Sequence, residues 1–270
     1  MKKIRFILIG AVVIVIIAAS VFILSRLKTS IANGQKTIAE ESLIKEAGTQ
    51  AAQGKLSAAR DLYQRAIRDY PQGKSVSDAQ KATWDLNIKL LFSQTQAPDS
   101  KIYQVEPGDT LGKIAKKFNT TVELLMRSNN LKSDLIRPGM RLKVCTAKFS
   151  ILVDKSQNTL TLKANDDIFK IYTVATGLDN STPIGTFTIV TKEVNPTWYK
   201  SGAIVPPGSP KNILGTRWMG ISLPGYGIHG TTEPESIGKQ VTAGCVRMLN
   251  NEVEELYTIV PSGTEVTIVD

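Results

Sequence analysis

The rhythm of hydrophobic positions changes several times along this chain. From Phe6 to Leu24, "FILIGAVVIVIIAASVFIL" is an unbroken uncharged run of 19 residues. As a helix it would measure roughly 28 Å, close to the ~30 Å of a bilayer core. Between 39 and 92 the period becomes three to four. Leu56, Ala59, Leu62, Tyr63, Ala66 and Ile67 share one face and Pro71 closes the segment, so helices are predicted. "SQTQAPDS" (93–100) has no period and predicts a linker. From Tyr103 a short strand ends at Pro107-Gly108. Two short helices follow, one on Leu111, Ile114, Ala115 and Phe118, the other on Val122, Leu125 and Met126 with Thr120 and Glu123 as a capping box. Pro138-Gly139 then turns the chain into a strand from Met140 to Val144. Beyond 148 the period is two. "FSILVDK" and "TLTLKAN" alternate around "SQN" as a hairpin, "IFKIYTVATG" and "GTFTIVTKEV" follow, and "EVTIVD" is a last strand. One helix interrupts them, with Asn251 and Glu254 as its capping box and Val253, Leu256, Tyr257 and Val260 as its buried face. The predicted result is a mostly antiparallel sheet with one packed helix.

The predicted architecture is therefore multidomain. A membrane anchor occupies 1–28 with its transmembrane helix over Phe6–Leu24, an α-helical spacer 29–92, a linker 93–101, a βααβ module 102–145 and a mainly-β domain 148–270. Lys2, Lys3 and Arg5 precede the apolar run, which is longer than the ~7–15 residues of a cleaved signal and has no small-x-small site at its end. The prediction is an uncleaved single-pass anchor in the cell membrane, basic end in the cytoplasm and everything after Lys28 outside it. The net charge of +9 favours anionic partners, but no zinc-finger spacing or aromatic–basic sheet signature points to nucleic acid. With 42% hydrophobic and 21% charged residues the chain is neither disordered nor fibrous. Two cysteines cannot staple a fold of this size, so they are free thiols or form at most one bridge.

The chemistry concentrates in "GIHGTTEPESIGKQVTAGCVRMLN" (227–250), which holds the one histidine of the chain, His229, and one of its two cysteines, Cys245. A thiol at its free pKa of ~8.5 is only slightly ionised at neutral pH, and a neighbouring imidazole that takes its proton forms an ion pair that lowers that pKa. Cys145 ends the βααβ module and has no glycine beside it. Cys245 follows Gly244, which admits a substrate and lets the 244–245 amides face a developing oxyanion. Gly230 flanks His229, where main-chain carbonyls can accept the imidazole N–H and fix its tautomer. Arg247, two residues on, shares the face of Cys245 on an extended segment and suits a carboxylate or the oxyanion. Taken singly, either residue has a plain structural reading, the cysteine as a small buried hydrophobe and the histidine as a hydrogen-bonded core or surface group. No CxxC or HxxxH spacing suggests a metal, and no cofactor is expected.

Three resemblances extend this reading. Gly54, Ala59, Tyr63, Ala66 and Pro71 are spaced like the second helix of a single tetratricopeptide unit. "YQVEPGDTLGKIAKKF", "LLMRSNNL" and "IRPGMRLKV" resemble a LysM module. That resemblance implies a peptidoglycan glycan containing N-acetylglucosamine as ligand, with Gly108, Asp109 and Thr110 on one side of a shallow groove and Asn130, Leu131, Ile136 and Pro138 on the other. Nine Lys/Arg against four Asp/Glu over Lys101–Cys145 would add salt-sensitive attraction to anionic polymers. "STPIGTFTIV", "NPTWY", "IVPPGSPKNILGTRWMGIS", "GIHGT", "SIGKQVTAGCVRM" and "LYTIVPSGTEVTIVD" closely resemble, in order, the YkuD-type L,D-transpeptidase domain. The resemblance implies Cys245 as nucleophile, His229 as general base and acid, Gly244 and Cys245 as oxyanion amides, Gly230 and Arg247 as supports, and Thr242 with them in the signature. Ala243 stands where many members carry His or Arg, and no acidic third member is evident. Trp198, Tyr199, Trp218 and Tyr226 are candidates for the cleft walls, Trp218 and Tyr226 being expected to touch substrate. The implied reaction transfers the acyl group of a tetrapeptide stem from D-alanine to an amine, forming a 3→3 cross-link in peptidoglycan. Water or a protein amine as acceptor would make the same site an L,D-carboxypeptidase or a wall-protein anchor. The residues are also compatible with a non-catalytic wall-binding scaffold and with a thiol peptidase acting on L,L-peptides.

Overall fold

The computed structural model describes residues 34–200 and 202–270, together with Phe22, Arg26 and Lys28. The chain divides into two compact units, Met1–Thr83 and Trp84–Asp270. The expected transmembrane helix is not supported. Among the described residues no helix is long and apolar enough to cross a membrane. The run Phe6–Leu24 itself lies, except for Phe22, outside the described residues.

In the first unit residues 34–52 are helical (α1), α2 is Leu56–Asp69, and α3 (Val76–Phe92) begins there and ends in the second unit. Ala47, Ala59, Ala66 and Ala79 are buried, small side chains that let helices approach closely. The buried Glu40 carboxylate accepts the Ser75 backbone N–H at 2.8 Å, which satisfies a charge that could not otherwise stay inside.

The second unit opens with the βααβ module. Strand β1 (Ser100–Gln104) pairs antiparallel with β2 (Arg141–Cys145), and α4 (Leu111–Lys117) and α5 (Val122–Ser128) lie between them in sequence. Val105, Leu111, Ile114, Ala115, Leu125, Leu142 and Val144 form its core. Thr110 caps α4 by accepting Lys113 N–H. The cap of α5 is Thr121, accepting Leu124 N–H, rather than Thr120, whose buried hydroxyl has no partner among the described residues. Two adjacent threonines make the register ambiguous by one residue.

The remaining strands are β3 (Phe149–Asp154), β4 (Thr159–Ala164), β5 (Asp167–Thr173), β6 (Thr176–Gly177), β7 (Gly185–Val194), β8 (Trp198–Lys200), β9 (Ala203–Val205), β10 (Arg217–Ile221), β11 (Gly227–His229), β12 (Gln240–Thr242), β13 (Val246–Arg247) and β14 (Glu265–Val269), with helix α6 at Asn250–Ile259. Eight of them make one sheet in the order β13-β11-β10-β7-β14-β3-β4-β5. The β11–β13 and β14–β3 pairs are parallel and the others antiparallel. β6–β12 and β8–β9 are separate two-stranded pairs. Helix α6 buries Val253, Leu256, Tyr257 and Ile259. Its N-cap is Leu249 with no side-chain bond, so the expected Asn251–Glu254 box does not form. At its other end the Lys192 ammonium donates to Tyr257 O (2.7 Å) and Val260 O (2.8 Å), closing carbonyls that the helix leaves open.

The module and the sheet share a core. Leu124 of α5, Ile88 and Leu91 of α3, and Cys145 at the end of β2 belong to the same buried cluster as Val253, Leu256 and Met219. Thr121 Oγ1 donates to Thr258 O on α6. Lys143, 3% exposed, donates to Leu90 O (2.7 Å) and Ser93 O (2.8 Å) at the end of α3. The 93–101 segment is thus short and tied down: Ser100 Oγ and Ala97 exchange two bonds of 2.8 Å.

Candidate active site

Strand register carries four side chains into one row. Across β7, β10, β11 and β13, Glu193 pairs with Trp218, Trp218 with His229, and His229 with Arg247. Directly paired residues project to the same face of a sheet. All four line one cavity of about 420 Å³, together with Cys245, Thr242, Ala243 and Gly225, and with Trp198, Tyr199, Ile213 and Leu214 on its apolar side. The Trp218 indole lies over β10 and β11 because two positions there carry no side chain. A Cβ at Gly227 would sit 2.7 Å from Trp218 Cζ2, and one at Gly220 would sit 3.0 Å from Nε1. The indole stacks on the His229 ring, centroids 5.9 Å apart at 23°.

His229 is 3% exposed. Its Nδ1 lies 2.7 Å from Gly230 O. A carbonyl accepts only, so Nδ1 carries the proton and Nε2 is left as the acceptor. Burial holds the imidazole pKa down at about 4, against a smaller upward pull from the Gly230 carbonyl and with a further downward push from Arg247. Gly230 is itself boxed in, since a Cβ there would meet Asn250 Oδ1 at 2.2 Å. Asn250 accepts from Thr216 N (3.2 Å) and Thr231 N (3.0 Å) and donates to Thr231 O (2.7 Å), so it clamps the carbonyl-bearing turn after His229.

Cys245 sits between β12 and β13, half-buried, its thiol 3.7 Å from Gly225 O. Burial raises the thiol pKa, opposed by the Gly227 backbone N–H and by Arg247. Both shifts favour the neutral forms over a thiolate–imidazolium pair. The reason is desolvation, which penalises both ions of the pair together. Gly244 has φ +126°, and a Cβ there would lie 2.7 Å from Tyr226 Cε1, so only glycine fits. Its N–H donates to Thr242 Oγ1 (3.2 Å), and Thr242 Oγ1 donates to Cys245 O (2.7 Å). At rest Gly244 thus supplies backbone conformation, Thr242 braces the turn, and Tyr226 packs behind it. Arg247 is 5% exposed and donates through one nitrogen to Glu233 Oε2 (2.7 Å) and Ser236 Oγ (3.0 Å). Its backbone exchanges two 2.8 Å bonds with Ala175.

Glu193, Glu233, Ser236 and Asn250 carry no local motif that singles them out in the sequence. Glu233 stands four residues after His229, and its acidic character is the one available signal. Glu193 is visible only through register. Both cysteines are free, and Cys145 is buried with its thiol pKa raised by burial. Among the described residues no group of three or more His, Cys, Asp or Glu is placed to hold a metal ion.

In the βααβ module Gly108 has φ +85° and Asn130 φ +53°, each at the turn beside a helix end. Asp109 accepts from Tyr103 OH (2.7 Å) and Glu106 N (2.9 Å), and the backbone bond first, then the phenol, lowers its carboxyl pKa. Thr110 is the α4 cap, Leu131 and Ile136 lean on the module core, and Pro138 and Asn130 are exposed.

Comparison with known proteins finds two domain families within the second unit. The L,D-transpeptidase catalytic domain family matches residues 148–268, and the LysM domain family matches 103–144. YkuD of Bacillus licheniformis, named as an L,D-transpeptidase, is 39% identical over 176 residues, 62% of this chain and 98% of that protein. The chain belongs to the L,D-transpeptidase family. YkuD of Bacillus subtilis strain 168, named likewise, is 39% identical over 174 residues, 62% of this chain and 97% of that protein. The solved catalytic domain of the Enterococcus faecium L,D-transpeptidase is 23% identical, covering 45% of this chain and 97% of that one with a TM-score of 0.38. The protein is a peptidoglycan L,D-transpeptidase, an acyltransferase with a cysteine nucleophile. Its LysM and L,D-transpeptidase domains indicate peptidoglycan binding.

Proposed function

We propose that Cys245 is that nucleophile and His229 its base. The observation that carries the reading is the fixed tautomer: Nδ1 is committed to Gly230 O, which leaves Nε2 as the acceptor of a ring that lines the same cavity as Cys245. Cys245 Sγ attacks the carbonyl of the third stem residue of a tetrapeptide donor while Nε2 takes the thiol proton. The oxyanion draws on the Cys245 amide, and the imidazolium returns its proton to the departing D-alanine amine. An amine of a second stem then attacks the thioester, giving a 3→3 cross-link. Arg247, held by Glu233 and Ser236, stabilises negative charge at sulfur during the transfer. Trp218 and Thr242 shape the donor site. The LysM loops at 108–110 and 130–138 hold glycan containing N-acetylglucosamine and raise the local concentration of stems. This work belongs outside the cytoplasm, where its polymer lies.

The test is mass analysis of purified muropeptides incubated with the protein. Wild type yields cross-linked dimers with one D-alanine lost per bond, and Cys245→Ala yields none. Tripeptide without dimer would make water the acceptor and the enzyme a carboxypeptidase. Equal, negligible processing by both proteins would favour a binding scaffold.

A further inference from the structure

The Glu193 carboxylate lines the cleft yet makes no hydrogen bond or ion pair among the described residues. Its neighbours in the row do engage: Trp218 stacks on His229, and Arg247 is paired with Glu233. Glu193 is exposed, and an acid held at a fixed register beside a mainly apolar wall, with no protein partner, is placed to meet a cation that arrives with the ligand.

We infer that Glu193 binds the terminal ammonium of the diamino acid at the third position of the donor stem. The inference rests on the proposed acyl transfer at Cys245, which puts that residue's carbonyl at the thiol. Neighbouring strands lie ~4.8 Å apart, so Glu193 and His229, two strands apart, have Cα atoms about 10 Å from each other. A diamino acid carries its side-chain nitrogen five single bonds of ~1.5 Å beyond its α-carbon, a zigzag of about 6 Å. With its carbonyl at Cys245 and its methylenes across the Trp218 indole, that nitrogen reaches the Glu193 side chain. Between its two polar ends the row offers an aromatic floor, with Ile213 and Leu214 in the same wall. An alkyl chain with a charged tip matches that sequence of surfaces.

The acceptor amine is the other cation in the reaction, and it fits this position poorly. It must be neutral to attack, whereas a carboxylate beside it would hold it protonated. It must also reach the thioester beside His229, not a point two strands away.

The test uses the full chain in single turnover. Acyl-enzyme formation and D-alanine release are measured with a diaminopimelate-containing tetrapeptide stem and with the same stem acetylated on its side-chain amine. Wild type is expected to prefer the free amine at least tenfold, about 1.4 kcal/mol of discrimination. In Glu193→Gln the preference falls to within about twofold, and Glu193→Asp keeps part of it. Wild type that uses both stems equally, or E193Q that retains the preference, overturns the inference and leaves the acyl transfer standing. A defect in E193Q confined to thioester aminolysis overturns it too, by assigning the carboxylate to the acceptor. Wild type that acylates with neither stem overturns the transpeptidase reading at this site and the inference with it.

Discussion

At the scale of single residues, the instructive group is His229. A buried imidazole whose pKa is pushed down to about 4 stays neutral through the physiological range, the state that the proposed base requires. The thiol is shifted the other way, upward, by the same burial. Free enzyme with both groups neutral thus spans a wide pH interval. Because kcat/KM reports the free enzyme's ionisations, its acid limb should fall near pH 4, not near the 6.5 of an ordinary histidine. A pH–rate profile for thioester formation measures this directly; a limb centred on 6.5 would mean that the ring is solvated. The sign for stability agrees. A folded-state pKa below the unfolded one leaves the unfolded chain binding the extra proton, so stability is lost as pH falls from about 6.5 to about 4. His229, Cys245 and the glycines beside them, which meet at one cavity, stand out in sequence because "IHG" and "AGCVR" are dense local motifs. The direction of the two shifts does not, since it depends on how deeply distant strands bury each group. Glu193 is hidden for a related reason: its place in the row is a property of pairing between β7 and β10, two strands that a long intervening segment separates along the chain.

At the scale of elements, the alternating segments are legible where the pattern is long. "GTFTIVTKEV" is β7 from end to end, and the hairpin on either side of "SQN" is β3 and β4. Helix caps are harder to read. A cap depends on one residue's φ and ψ, and runs such as Thr120-Thr121 and Leu249-Asn250-Asn251 offer several equivalent choices. Asn250 shows the consequence: its side-chain amide does not cap the N-terminus of α6 but fastens the turns at 216 and 231. The contact of α5 with α6 is invisible from either segment alone. Leu124 is 1% exposed and lies in the core of the catalytic sheet, although it belongs to a LysM helix. Truncating it removes packing between that helix and the core of the sheet. Leu124→Ala should cost about 3 kcal/mol, and the LysM module and the sheet should still lose structure in one transition, read at the same urea midpoint by tryptophan fluorescence and by backbone circular dichroism. Two separate midpoints in wild type would show the two modules to be independent.

At the scale of the whole molecule, the LysM module and the catalytic sheet form one unit with a shared core, so polymer bound by the module as proposed would be tethered to the sheet. The module order is legible because each has a dense local signature; the shared core between them is not, because packing faces carry no signature of their own. The central claim is that a stem peptide passes through a covalent bond to one sulfur, with the lone imidazole moving its proton. Intact-mass analysis of the protein after brief exposure to donor stem without acceptor tests it most directly. The account predicts an adduct of donor minus D-alanine, mapped to the peptide that contains Cys245, abundant in wild type and lost in His229→Ala. An adduct of the same mass on Cys145, or D-alanine release that persists undiminished in Cys245→Ala, would contradict it.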